Sequence, residues 1–204
     1  METQPYRFEA IFSLGHNCQV AAQLKRNGLR RQAGPWDWFN FASTADFCGV
    51  IRRRLEGFMQ LEHLEIYGKS VNTYYVRDRQ STCLSFHDFK NNPNQPPLYD
   101  YAEFRDRLDR RIARFNDCLA SGRSVLLVRI IKHQHDAEAI YASIRETYAN
   151  PHISMLFILH GEDPDIVELP SFDEDARLVR IPKGRTWEGD TAAWATILSK
   201  IRLA

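Results

Sequence analysis

Ser124–Ile131 (SVLLVRII), Asp136–Tyr148 (DAEAIYASIRETY) and Ile153–Leu159 (ISMLFIL) decide the fold. The first and third are continuous apolar runs of strand length, and the middle one carries a helical pattern. Strand, helix and strand joined by short connections form a crossover that leaves the two strands parallel. The expectation is an α/β fold: a single domain over residues 1–204 with a mostly parallel sheet and flanking helices. Gly122 precedes this unit and ends a helix over Tyr101–Ala120, whose Phe104, Leu108, Ile112, Phe115 and Leu119 form one apolar stripe. Arg105, Arg107, Arg110, Arg111 and Arg114 fill the rest of that helix. Their interleaving with Asp106 and Asp109 points to a solvated face with i,i+3 and i,i+4 pairs rather than an anion-binding face. Arg177–Ile181 reads as a short strand and Thr191–Ile201 as a terminal helix.

On the N-terminal side, Phe8–Leu14 (FEAIFSL) is a buried strand that stops at Gly15. A helix over Cys18–Leu29 follows, with Asn17 as its N-cap and Gly28 as its stop. Ser43 or Thr44 caps a second helix reaching about Phe58. Val71–Val76 and Thr82–Phe89 have β character, and Asn91–Pro97 (NNPNQPP) is the strongest loop signal, expected to be a mobile surface segment.

Lys and Arg total 27 against 26 Asp and Glu. This balance lacks the basic excess of a nucleic-acid binder and the acidity of a solvating tail. No apolar run approaches the roughly 18 residues of a membrane helix, and the N-terminus lacks the apolar core of a secretory signal. A cytoplasmic location is therefore expected, with neither membrane nor nucleic acid as partner. Cys18, Cys48, Cys83 and Cys118 are widely spaced and form no C-x-x-C pair, so they read as free thiols, most of them buried. No metal or cofactor is expected.

Ser13-Leu14-Gly15-His16-Asn17-Cys18 is the sharpest local feature. It places a thiol at the first turn of a helix, where the dipole and free backbone N–H groups are expected to lower its pKa and could hold an oxyanion. The competing reading makes Cys18 a small packing residue at the helix start. Cysteine catalysis also needs a base. His87, in Ser85-Phe86-His87-Asp88-Phe89, lies on or at the end of a strand, whereas His133, His135 and His160 follow strand ends where a parallel sheet forms its crevice. His16 lies two residues from Cys18 and could meet the same substrate. Arg129, a charge in an apolar strand, needs a partner or an anionic ligand.

SLGHNC, AAQLKRNGLR and GPWDWF within residues 12–39, followed by FHDF at 86–89, resemble the domain-of-unknown-function family described as papain-like cysteine peptidases. Val125–Arg129, Trp187 and Trp194 extend the likeness over most of the chain. Trp36 stands where the family usually has phenylalanine. The resemblance implies a Cys18 nucleophile with His87 as general base. Asp37, between Trp36 and Trp38, is the candidate third member that orients the imidazole. It could equally anchor its turn or pair with Arg129. Asp88 adjoins His87, and neighbouring strand residues point to opposite faces, so it is assigned to binding rather than to that role. The resemblance also implies a papain-like α+β fold as the alternative to parallel α/β. A nucleophile after the first strand would instead suit an SGNH-type hydrolase, whose C-terminal Asp-x-x-His is missing here.

The sequence thus points to a cysteine-dependent hydrolase or acyl transferase acting on a small-molecule or peptide-like acyl substrate. Cys18, His87 and Asp37 are its catalytic candidates. Gly15, His16, Asn17, Trp36, Trp38, Asp88 and Arg129 are its binding candidates, with Phe89 as a further wall. The alternative is a non-catalytic domain that binds an anionic small molecule, such as a sugar phosphate or nucleotide, at Gly15–Cys18 with Arg129 and His16. A third reading makes the aromatic segments a partner surface.

Overall fold

The structure, a computed structural model, describes residues 6–204. In chain order the elements are β1 (Tyr6–Phe8), β2 (Ala10–Ser13), α1 (Gln19–Arg26), β3 (Phe39–Asn40), α2 (Thr44–Arg52), β4 (Leu64–Lys69), β5 (Thr73–Asp78), β6 (Cys83–Lys90) and α3 (Tyr101–Ala120). They continue with β7 (Val125–Ile130), α4 (Gln134–Thr147), β8 (Ile153–Gly161), β9 (Val167–Leu169), β10 (Ala176–Pro182), α5 (Thr191–Leu198) and β11 (Ile201–Leu203). No helix among the described residues is long and apolar enough to cross a membrane.

The fold is α/β with mixed sheets. A five-stranded sheet has the order β2-β7-β8-β10-β9, with β2, β7, β8 and β10 parallel and β9 antiparallel to β10. The β7-α4-β8 unit is the crossover expected from SVLLVRII and ISMLFIL. One mostly parallel sheet does not describe the whole, because β3, β6, β5 and β4 build a separate antiparallel sheet. The difference has a physical origin. Short turns between β4, β5 and β6 permit only antiparallel pairing, and β4 is too polar to register as an apolar run. The expected first strand divides at Glu9, and β1 pairs with the C-terminal β11, so the last helix ends earlier than its apolar pattern suggests.

Strand β7 is buried along its whole length, as a central strand covered on both faces must be. Leu126, Val128 and Ile130 pack with Val20 and Leu24 of α1 and Trp194 and Ile197 of α5. Val125 and Leu127 join the opposite cluster, which includes Phe47 of α2, Phe104, Leu108 and Phe115 of α3, and Ile140 and Ile144 of α4. That cluster continues into the antiparallel sheet through Val76, Cys83 and Phe89.

Two helix ends follow local chemistry closely. Ser43 Oγ accepts from the Asp46 N–H at 3.1 Å and starts α2. Helix α1 ends when Leu29 N–H bonds Leu24 C=O and Gly28 N–H bonds Lys25 C=O, with Gly28 at φ +71°, a Schellman closure. Along α3, Arg105 pairs with Asp109 and Arg107 with Glu103 at i,i+4 spacing.

Residues 34–39 fold back over the end of β2. A Cβ on Gly15 would lie 2.6 Å from the Trp36 carbonyl oxygen and 3.2 Å from that of Phe39. Gly15 also sits at φ +76°, a left-handed conformation costly to any β-carbon. Gly15 is therefore a packing requirement at this crossing. Gly15→Ala should lower the unfolding free energy by about 2 kcal/mol or more, read as a drop in denaturant midpoint at unchanged slope.

Candidate active site

The chain leaves β2 through a strained reversal. Leu14 N–H still bonds the Val128 carbonyl at 2.8 Å, and Gly15 N–H turns back to Ser13 Oγ at 3.0 Å. His16 at φ +77° and Asn17 at φ +152° continue the left-handed path begun at Gly15. Asn17 Oδ1 then accepts from the Gln19 N–H at 2.8 Å. The cap expected of Asn17 is present as this bond, although Cys18 is the residue at the N-cap position. The result delivers Cys18, half-buried, to the end of a parallel strand and the start of a helix.

His87 is positioned by an irregularity in β6. Tyr74 pairs with Phe89 and Val76 with Ser85, so the three residues Phe86, His87 and Asp88 lie opposite Tyr75 alone. Bulges of this kind re-aim side chains and increase local twist. Ser85 Oγ donates to Asp88 Oδ2 at 2.6 Å across the bulge and holds it. The alternation that would have sent His87 and Asp88 to opposite faces is broken, and both line the same cleft.

That cleft, of about 820 Å³, brings Asn17 and Cys18 from the α1 entry together with His87, Asp88 and Phe86 from the bulge. Trp38 and Asn40 contribute from the segment that covers Gly15, Arg111 from α3 and Trp187 from the loop before α5. Glu188 fixes that loop to α1, its carboxylate with Arg26 at 2.8 Å and its carbonyl with Gln23 Nε2 at 2.8 Å. Asn40 Oδ1 is shielded from solvent and has no hydrogen-bond partner among the described residues. Arg111 lies over the Trp38 ring, 4.7 Å from its centroid.

Several expected site residues lie elsewhere. Arg129 is buried beneath the cleft region, donates to the Leu14 carbonyl and covers the Phe47 ring at 3.6 Å. Burial lowers its pKa to about 9, and its cation ties β2 to β7 and α2 without reaching the cleft that holds Cys18. Asp37 does not pair with Arg129. It accepts from Arg30 and, at 3.0 Å, from the Gly34 N–H, so it anchors its turn. Trp36 is fully buried among Phe41, Phe47, Phe58 and Phe115, and Phe89 is buried against Phe104. Neither walls the cleft. Phe86 and Trp187 do so, because the bulge exposes Phe86 and a loop presents Trp187. His16 turns to a second, water-sized cleft of about 30 Å³, with Arg129, Lys132, Ser43 and Asp136.

The family described as "putative papain-like cysteine peptidase" matches residues 9–160. The chain belongs to this family. It is also similar to an uncharacterized protein of Acanthamoeba polyphaga mimivirus, 22% identical over 215 residues, covering 92% of this chain and 96% of the viral protein. No solved structure matches. Within this family member, every cleft residue except Trp187 falls inside the matched region. Asn40 and Arg111 gave no sequence signal that separated them from neighbours of the same type. Phe86 was visible only as part of the FHDF run.

The electrostatics of the family member's cleft differ from the expectation of an acidified thiol. Burial pushes the Cys18 thiol above its ordinary value, and the Asp88 and Asp37 carboxylates push it further. Its own backbone N–H acts in the opposite sense and is outweighed. Burial also raises Asp88 and Asp37, each against the pull of nearby arginines. The four cysteines are free, with Cys48, Cys83 and Cys118 buried.

Two outcomes follow from these charges. Replacing Asp88→Asn removes a negative neighbour, so iodoacetamide should label Cys18 at pH 8.5 about two- to tenfold faster than in the wild type. Burial, then Arg129 and Lys132, lowers His16 from 6.5 to about 4. The folded state resists a proton that the unfolded chain accepts, so this stability is full above pH 6.5 and is lost as pH falls towards 4. His16→Asn, which tolerates the left-handed backbone, should flatten that part of the stability–pH curve in chemical denaturation.

Proposed function

We propose that the protein is a cysteine-dependent hydrolase or acyl transferase acting on a small or peptide-like acyl substrate. The observation that carries this reading is that Cys18, at the start of α1, and His87 and Asp88, on the bulge of β6, line one cleft. Membership of a family described as peptidase-like supports the same chemistry.

Because its pKa is raised, Cys18 rests as a thiol, and His87 acts as general base during attack rather than as half of a standing ion pair. The sulfur bonds to the acyl carbon, the thiol proton passes to His87, and His87 returns it to the leaving group. Water or a second acceptor then releases the acyl group from the thioester. The Cys18 N–H and the Asn17 amide NH₂ are the oxyanion donors in this reading, since the Gln19 N–H is already taken by Asn17 Oδ1. Asp88, on the same bulge, stabilises the imidazolium in place of Asp37. A free nucleophilic thiol suits a reducing compartment such as the cytoplasm.

The test uses a panel of p-nitrophenyl acyl esters with mass spectrometry of the intact protein. A thioester should form at Cys18, vanish in Cys18→Ser, and form about a hundredfold or more slowly in His87→Gln. Equal acylation of Cys18 with and without His87 would overturn the dyad. Absence of any turnover, together with undiminished ligand affinity in Cys18→Ser, would instead select the non-catalytic binding domain.

A further inference from the structure

Arg111 is the arginine of α3 that lines the cleft, whereas Arg110, which also has no ion pair or hydrogen bond among the described residues, is exposed. Arg105 and Arg107 pair with Asp109 and Glu103, and Arg114 donates to the Ala33 carbonyl. Arg111 has no salt bridge or hydrogen bond among the described residues, and its contact is the face of Trp38 at 4.7 Å. Trp38 is covered by two guanidiniums, but Arg30, 5.4 Å from the ring centroid, is committed to Asp37. A guanidinium held over an indole keeps N–H donors available to a planar anion. Arg111 lines the cleft that holds Cys18 and His87, together with the aromatic walls Phe86 and Trp187.

We propose that Arg111 selects the substrate by binding a carboxylate carried on the acyl compound that Cys18 attacks. This rests on the reading of Cys18 as nucleophile. The class is a peptide-like acyl compound with a free carboxylate and an apolar or aromatic group, sized to a cleft of about 820 Å³. A carboxylate fits better than a phosphate. Asp88, whose hydrogen-bond partner Ser85 is neutral, already places negative charge in the cleft, so a second charge on the ligand adds repulsion against the single guanidinium that lines it.

Alkylation of Cys18 by iodoacetate and by iodoacetamide, followed by peptide mass spectrometry, provides the test. In both, sulfur displaces iodide from the methylene carbon and the thiol proton leaves, so the ratio of the two rates cancels any change in thiolate fraction. Only iodoacetate carries a carboxylate. Arg111→Gln should lower the iodoacetate-to-iodoacetamide ratio at Cys18 about five- to tenfold at low salt, and Arg111→Lys should restore part of it. An unchanged ratio in Arg111→Gln overturns the proposal.

In the wild type, glutaramate, which carries one carboxylate, should protect Cys18 from iodoacetamide better than either glutaramide or inorganic phosphate does. Protection by phosphate at least as strong, or none by glutaramate, also overturns the proposal and requires no variant to fold. His87→Gln separates the two readings. If the iodoacetate ratio stays high there while ester acylation of Cys18 is unaffected by the loss of His87, the dyad fails and carboxylate recognition by Arg111 stands.

Discussion

The carbonyl of Trp36 rests where a β-carbon on residue 15 would be, and most of the cleft depends on that contact. Gly15 lets residues 34–39 cross the end of β2 at backbone distance. The crossing places Trp38 and Asn40 beside Cys18, and brings β3 to pair with β6, Phe39 with Ser85 and Asn40 with Leu84. Strand β6 then presents its bulge, with His87 and Asp88, to the same space. A single missing methyl therefore joins the parallel sheet, which supplies Cys18, to the antiparallel sheet, which supplies His87.

Charge is arranged in layers around this junction. Arg129 lies below it, desolvated and committed to the Leu14 carbonyl and the Phe47 ring. Arg30 neutralises Asp37 and so secures the covering turn. Arg111 alone faces the cleft without a polar partner among the described residues. Arg129, the buried one, and Arg30 are satisfied within the protein, and Arg111 lines the cleft near the Asp88 carboxylate.

The state of Cys18 shows how two opposing effects are weighed. A helix start favours a negative charge by typically about 0.3–1 kcal/mol, less than one pKa unit. Desolvation can shift a buried group by several units. Here Cys18 is partly buried, two carboxylates stand close, and α1 is short with its first N–H taken by Asn17, so the thiol is favoured. The helix-start argument gave the Cys18 titration the wrong sign. A neutral thiol that shares a cleft with a histidine suits general-base activation, the chemistry by which serine hydrolases use a hydroxyl.

By itself, the sequence determined what depends on near neighbours along the chain. SVLLVRII and ISMLFIL are strands because their apolar runs are continuous and short, and α3 is a helix because its apolar residues recur every three or four positions. Gly28 closes α1, Ser43 opens α2, and SLGHNC marks the turn that carries Cys18. The tertiary structure alone decided which side chains meet. Alternation along β6 separated Asp88 from His87 until the bulge, a mismatch with β5, put both in one cleft. The sequence singled out Arg129 as a cation in need of a partner or ligand and read Arg111 as one of five arginines on a solvated helix face. Strand β7 buries the first against Phe47, and the rotation of α3 carries the second onto Trp38. Local pattern reports periodicity and capping, whereas facing directions are set by pairing and packing between segments far apart in the chain.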